Sequence, residues 1–370
     1  MSKQKNGFLK IVDFLSERIP FQNLNFEHMV TKKEVPVHRM SWAYYMGGLT
    51  LLFFIIQLVT CVFLLFYYQP TVSDAHASVE YITFFVKSGF LIRNLHTWSS
   101  SCMILCLMIH MITSFAMKAF ARPREITWIS GSLLLMITFA FGFTGYLLPW
   151  HQIAVNATKV VLQSIEEAGH YLPGALAALP SYIKEIIQGE VSVGQATLSR
   201  FYALHVVILP LFFMGAIGLH LLGVQLHGMS PGVDTPSRKK ERFFPVFILK
   251  DFWLWGIVFL VVFVLALCLP FESFYSYPLF EAYDALGSTP EGIKPEWYFY
   301  FVYYPLEILP FWVIMLGMTI AQVGIFFVPW IFKNTSRKVL SIIAWIIAAY
   351  LIIITLFGQL IYEVFKGPGN

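Results

Sequence analysis

Seven stretches of the chain stay apolar or small for long enough to cross a bilayer, and polar segments separate them. They fall near residues 42–66, 90–117, 127–147, 200–226, 252–270, 309–331 and 339–362. A helix rises about 1.5 Å per residue, so about 20 such residues span the hydrocarbon core. The pattern predicts an all-α polytopic membrane protein with seven crossing helices. No short-period repeat or low-complexity segment interrupts it. Ahead of the first run, MSKQKNGFLKIVDFLSERIPF lacks a signal-peptide core and cleavage site. It reads as an amphipathic helix lying on the membrane surface.

The polar segments alternate in charge. Lys and Arg number seven in the arm through Arg39, three in the 118–125 loop, five in 228–251 and three in 333–338. The intervening loops and the C-terminus share the other seven of 25. Positive charge collects on the cytoplasmic side, so the N-terminus is expected inside and the C-terminus outside. A bacterial cytoplasmic membrane, or an equivalent energy-transducing membrane, suits such a chain. Composition agrees: 58% of residues are hydrophobic and 12% charged, against about 25% charged in soluble domains. The net charge of +4 is scattered over loops and predicts no nucleic-acid partner. Cys61, Cys102, Cys106 and Cys268 lie in apolar runs without a CxxC or CxxCH pattern, which speaks against zinc or an ordinary c-type haem attachment.

Within these runs the histidines stand out. His96 and His110 are fourteen apart in the second helix, and His205 and His220 are fifteen apart in the fourth. Fourteen residues advance about 21 Å along a helix and return nearly to one face. The fifteen-residue step predicts a similar rise with a modest angular offset. A single buried histidine is as readily a hydrogen-bonded packing residue as a ligand, but four at matched depths suggest a functional site. Both helices enter from the outside, so His96 would face His205 near the outer surface, and His110 would face His220 near the inner one. The pairs could ligate two non-covalent haems stacked across a four-helix bundle. Gly131 and Gly145 repeat at fourteen in helix three, and Gly47 is followed at fourteen by Cys61 in helix one. Small residues admit a large ring between helices. Arg93 is placed either to meet a haem propionate or to anchor at the interface.

A second chemistry appears outside. Pro295-Glu296-Trp297-Tyr298 precedes the sixth helix, and Gly145-Tyr146-Leu147-Leu148-Pro149-Trp150 ends the third on the same side. A carboxylate at the membrane edge can take a hydroquinone proton, with Tyr146 and Tyr298 shaping an apolar pocket. Read alone, the turn is equally an aromatic anchor with an incidental carboxylate. The outer segments 151–199 and 271–298 are too long for simple turns, as functional loops are.

The combination of RNLHTW with its fourteen-residue step, TGYLLPW, SVGQATLSRFYALH with its fifteen-residue step, and PEWYF resembles cytochrome b of quinol-oxidising bc-type complexes over nearly the whole chain. The longer step and the lack of an eighth helix resemble the short chloroplast-style branch, whose subunit IV is usually a separate chain. Here the halves would be joined through SRKKER, dividing the chain into 1–40 (surface segment), 41–236 (dihaem domain) and 237–370 (C-terminal domain).

The resemblance implies that His96 and His205 bind the lower-potential haem, and His110 and His220 the higher-potential one. Gly47, Gly131, Gly145 and Arg93 would line the haems, and Glu296, Tyr298 and Tyr146 the quinol-oxidation site. It implies quinone, a Rieske iron–sulfur protein, a c-type cytochrome acceptor, a homodimeric complex and proton translocation.

Three positions depart from that branch. Tyr45 replaces the cysteine before Gly47-Gly48, so a covalent haem c at the inner site is not expected. Gln225 stands in place of an arginine, and His151 in place of an aspartate. His151 could join a proton path or be an interfacial histidine without a role. Two rival functions are a dihaem dehydrogenase anchor and a transporter using buried histidines and Glu307.

Overall fold

A computed structural model describes residues 7–19, 33–231, 239–274, 281–287 and 294–366. The surface helix forms as expected, α1 (Gly7–Arg18). It is held by a buried Arg18–Glu125 ion pair at 2.6 Å and by His227 Nε2, 2.8 Å from the Arg18 carbonyl. The strand β1 (Glu34–Pro36) follows. The first crossing helix is α2 (Tyr44–Leu65), entered through a single turn at Ser41–Ala43, and a short outer helix α3 (Ala75–Phe84) leads to α4 (Gly89–Ala116). Gly89 opens α4 because a Cβ there would overlap the Ile82 carbonyl oxygen. The third span is α5 (Glu125–Leu147), whose first-turn carboxylate complements the helix dipole.

The fourth span begins as α8 (Gln195–Ala203) and ends as α9 (Leu209–His227), after the outer helices α6 (Gln152–Glu167) and α7 (Leu179–Gln188). Between α8 and α9, Leu204–Ile208 forms a π-turn that contains His205. Its cause is Pro210, which has no N–H to donate to the Val206 carbonyl and would crowd it in a regular helix. The wider turn absorbs one extra residue. One extra residue in that turn offsets part of the difference between the fifteen-residue histidine step on this helix and the fourteen-residue step on α4.

The strand β2 (Lys240–Arg242) pairs antiparallel with β1, and α10 (Ile248–Cys268) is the fifth span. A short helix α11 (Tyr300–Ile308) precedes α12 (Phe311–Ile331) and α13 (Arg337–Lys366). The break at Leu309–Pro310 places Glu307 outside the sixth span. It lies 3.8 Å from Lys366 and is partly exposed, so it is not the buried intramembrane charge the transporter reading needs. Among the described residues, seven helices are long and apolar enough to cross a membrane.

In the N-terminal half, α2 packs along α4 and α5 along α9, around a core of Leu49, Phe53, Phe54, Ile137 and Phe213. Two polar clamps attach the C-terminal half. Asn94 of α4 donates to the Ala266 and Leu269 carbonyls at 2.6 and 3.0 Å, satisfying the end of α10. Trp128 of α5 donates to the Ile325 carbonyl of α12 at 2.7 Å. The basic loops meet on one face, where Lys118 donates to the Lys333 and Thr335 carbonyls. The opposite face is closed by Gln152, which accepts from Asp284 N at 2.8 Å, and by Tyr68, which donates to the Leu148 carbonyl at 2.7 Å. Trp253, Trp345 and Leu356 turn outward, at 75%, 73% and 69% exposure. A bilayer covers such a surface; water would not.

Candidate functional site: two histidine-lined cavities

The four helices enclose two cavities, of about 270 Å³ toward the outer helices and about 470 Å³ toward the basic loops. His96 and His205 line the first, and His110 and His220 the second. The pairing expected from helix direction is the pairing observed.

Hydrogen bonds dictate which ring nitrogen is free. Thr60 Oγ1 donates to the Ile56 carbonyl at 2.7 Å, so it can only accept at 2.7 Å from His96 Nδ1–H. Thr144 Oγ1 likewise donates to Ala140 O at 2.8 Å and accepts from His205 Nδ1–H at 3.1 Å. His220 Nδ1 meets the Thr127 carbonyl at 2.9 Å, an oxygen that only accepts. Three of the rings are thereby held as the tautomer whose Nε2 carries a lone pair, the form a metal ligand requires. His110 Nδ1 is buried without a hydrogen-bond partner among the described residues.

Small residues stand where sequence placed them. A Cβ on Gly145 would come within 2.6 Å of His205 Cε1, and one on Gly131 or Gly47 within 3.1 Å of His220 or His110 Cε1. Helix backbone thus presses against three of the four rings and leaves the space between rings open. Cys61 lines the outer cavity beside His96. The ring centroids of His110 and His220 lie 6.3 Å apart with planes at 79°. Among the described residues no group of three His, Cys, Asp or Glu side chains is arranged for a metal. Two imidazoles alone would leave a bare ion undercoordinated. A metalloporphyrin, which brings most of its metal's ligands with it, would take only an imidazole pair from the protein and fits the donor set.

The outer cavity gathers the second chemistry as well. Arg93, Tyr146, Glu296 and Tyr298 all line it with the histidine pair. Glu296 sits in extended backbone ahead of a single turn closed by Phe299 N to the Glu296 carbonyl at 2.8 Å. Trp297 reaches Ser101 of α4 at 3.5 Å. Tyr298 is buried against Gly142, where a Cβ would come within 2.8 Å of its hydroxyl. Burial, reinforced by Glu296 and Tyr146, raises the Tyr298 phenol well above its ordinary value, so it stays protonated. Gly142 was not singled out from sequence, because its use depends on a residue 156 positions away.

His151 is buried and hydrogen-bonded. It is 4% exposed, lines the outer cavity, and caps α6 by accepting from Ala154 N at 3.0 Å. Burial, then His76 and Arg93, lowers it to about 3, which favours the neutral ring near pH 7.

The basic-face cavity holds residues that pattern alone did not reveal. Lys33, Arg124 and Asp251 line it beside Gln225. Gln225, the departure noted above, accepts from Lys33 Nζ at 2.8 Å. The missing cation is supplied from the N-terminal segment. Tyr45 stacks on Phe247 with ring centroids 4.9 Å apart.

Comparison with known proteins adds the lineage. The family model described as Cytochrome b/b6/petB matches residues 30–228, and Cytochrome b(C-terminal)/b6/petD matches 285–365, both on one chain. A cytochrome bc complex cytochrome b subunit of Chlorobaculum thiosulfatiphilum is 38% identical over 335 residues, covering 87% of this chain and 75% of that one. A chain of a hyperthermophilic respiratory Complex III superposes with a TM-score of 0.72 at 23% identity, covering 96% of this chain and all of that one. The chain belongs to the cytochrome b/b6 family.

Proposed function

We propose that this chain is the cytochrome b core of a bc-type, quinol-oxidising complex with two b haems. One would lie between His96 and His205, the other between His110 and His220. A haem held by an imidazole pair would supply reversible one-electron transfer rather than oxygen binding. The observation that carries the reading is the shared outer cavity, which joins a Nε2-free histidine pair to Glu296 in one space. Electron acceptor and proton acceptor are thereby side by side, as quinol oxidation needs.

Glu296 takes the quinol proton, with its carboxylate at the cavity wall and its turn anchored through Trp297. Tyr298 and Tyr146 shape the slot and hold the ring. Arg93 offers a positive charge to a haem carboxylate. On the basic face, quinone is reduced in the cavity that holds Lys33 and Asp251. Protons enter on that side, which the distribution of Lys and Arg makes cytoplasmic, and leave on the other. As the cytochrome b of a bc-type complex, the chain would work with a Rieske iron–sulfur protein and a c-type cytochrome, in a dimeric assembly.

The test is an absorption spectrum of the purified complex with and without quinol. Two b-type haems reduced by quinol are expected. A preparation free of haem sinks the reading and returns the histidines to a transporter role.

A further inference from the structure

The helix that follows the PEWY turn is apolar on one side and phenolic on the other. In α11, Tyr300, Tyr304 and Glu307 recur at four- and three-residue steps, which places them on one face, with Tyr303 beside them. Glu296 stands one more four-residue step back, at the head of the turn that enters α11. At about 1.5 Å per residue, Tyr300 and Glu307 lie about 10 Å apart along the axis. The ring centroids of Tyr300 and Tyr304 are 5.2 Å apart, and those of Tyr303 and Tyr304 5.1 Å. Tyr304 is 3% exposed, too buried to serve as an interfacial anchor, and a Cβ on Gly358 of α13 would overlap its ring. Pro305 has no N–H to give the Phe301 carbonyl, and the Tyr350 hydroxyl of α13 donates there instead at 2.6 Å. The phenolic face is thereby held against α13.

The two ends of this row differ. At one, Glu296 lines the outer cavity with His96 and His205. At the other, Glu307 is partly exposed 3.8 Å from Lys366, and the exposed Glu363 accepts from Gln359 at 2.7 Å. These residues lie at the far end of α13, a spanning helix that starts beside the basic loops, so the outlet is on the opposite face. The phenols between the two carboxylates are neutral. Burial raises Tyr300, with Glu296 adding to it, and raises Tyr303, with Glu307 adding to it. A neutral phenol can accept a proton on its oxygen while it releases its own, so it passes protons on without becoming a phenolate.

We propose that Tyr300 and Tyr304, with Glu307 at the outlet, form the route by which protons taken up by Glu296 leave the outer cavity for the surface. This rests on the quinol chemistry proposed above. In each passage the carboxylic acid of Glu296 loses one proton and returns to carboxylate. Each phenol gains a proton at oxygen and gives up its own, water spans the gaps, and one proton emerges beyond Glu307. No electron moves along the row.

The experiment uses the intact complex carrying Tyr300→Phe and Tyr304→Phe together, which keeps both rings and their packing and removes the hydroxyls. With saturating quinol, kcat is expected to fall about tenfold, less than for loss of a positioned base because water takes over part of the route. The solvent deuterium isotope effect on kcat should rise, since proton movement becomes limiting. The quinol KM and both haem midpoints should stay at their wild-type values. Glu307→Gln, at the exposed outlet, should lower kcat about threefold, and Glu307→Asp should restore it.

An unchanged kcat and isotope effect in the paired variant overturn the proposal. So does a raised KM with kcat unchanged, which would make the phenols walls of the quinol slot and no more. Should the paired variant fail to assemble, Tyr300→Phe, Tyr304→Phe and Glu307→Gln are measured singly and judged by the same criteria. A wild-type complex without haem, or a turnover indifferent to Glu296→Gln, overturns the reading of the outer cavity and the route with it. Turnover that depends on Glu296 but ignores the tyrosines overturns the route alone.

Discussion

The two cavities are built alike and furnished differently. Each has a histidine pair on α4 and on the α8–α9 helix, and each has glycine backbone pressed against a ring. The outer one adds a carboxylate and buried phenols, Glu296, Tyr298 and Tyr146. The basic-face one adds cations, Lys33 and Arg124, with Asp251 as its acid. Holding a flat ring is a task of sterics and lone pairs, which repeats along a helix. Taking or giving protons is a task of local charge, supplied by loops and termini that do not repeat. On the proposed function, one scaffold would carry electrons across the bilayer while its ends do opposite proton chemistry.

The sharpest way to break the comparison is to remove one ring from each cavity. His205→Leu should abolish the outer haem signal and quinol oxidation while leaving the inner haem signal. His220→Leu should do the converse to the spectrum. Loss of both signals from either change would show that the cavities do not fill independently, and spectra of the two purified variants decide it.

A smaller effect tests the difference in furnishing. Glu296→Gln keeps the shape and removes the base. Turnover with quinol is expected to fall about 10²–10⁴-fold, the usual range for a positioned general base, with both haem spectra unchanged. Unchanged turnover would move the proton acceptor elsewhere in the outer cavity.

How much of this was legible in the sequence follows from the same division. The seven spans, the histidine pairs, Gly131, Gly145 and PEWY all read from the pattern, because membrane thickness and helix period write themselves into spacing. The π-turn at Leu204–Ile208 did not, since Pro210 inside an apolar run signals a kink without saying which kind. Lys33 beside Gln225 and Gly142 beside Tyr298 were hidden because each pair joins distant parts of the chain. The substitution at Gln225 looked like a lost cation, and the fold shows the cation arriving from another segment. Glu307, named for the transporter reading, stands in the short helix α11, which Leu309–Pro310 separates from the sixth span.

The smallest expected effect separates a titrating residue from a structural one inside the outer cavity. His151 faces Tyr146 edge-on at 5.8 Å and caps α6 through Nδ1. Its folded value of about 3 lies below the ordinary 6.5 because burial disfavours the charged ring. Unfolding would let it take up a proton below pH 6.5. The stability it contributes is thus complete above 6.5 and is lost as pH falls toward 3. His151→Asn keeps a capping acceptor and removes the titration. The variant should bind both haems, oxidise quinol at near wild-type rate around pH 7, and differ in stability there by no more than about 1 kcal/mol. Its thermal midpoint should fall less steeply than that of the wild type between pH 6.5 and 4. A collapse of quinol oxidation at pH 7 with the haem spectra intact would instead make His151 part of the proton route. Glu296 would then share the proton-accepting role proposed for it.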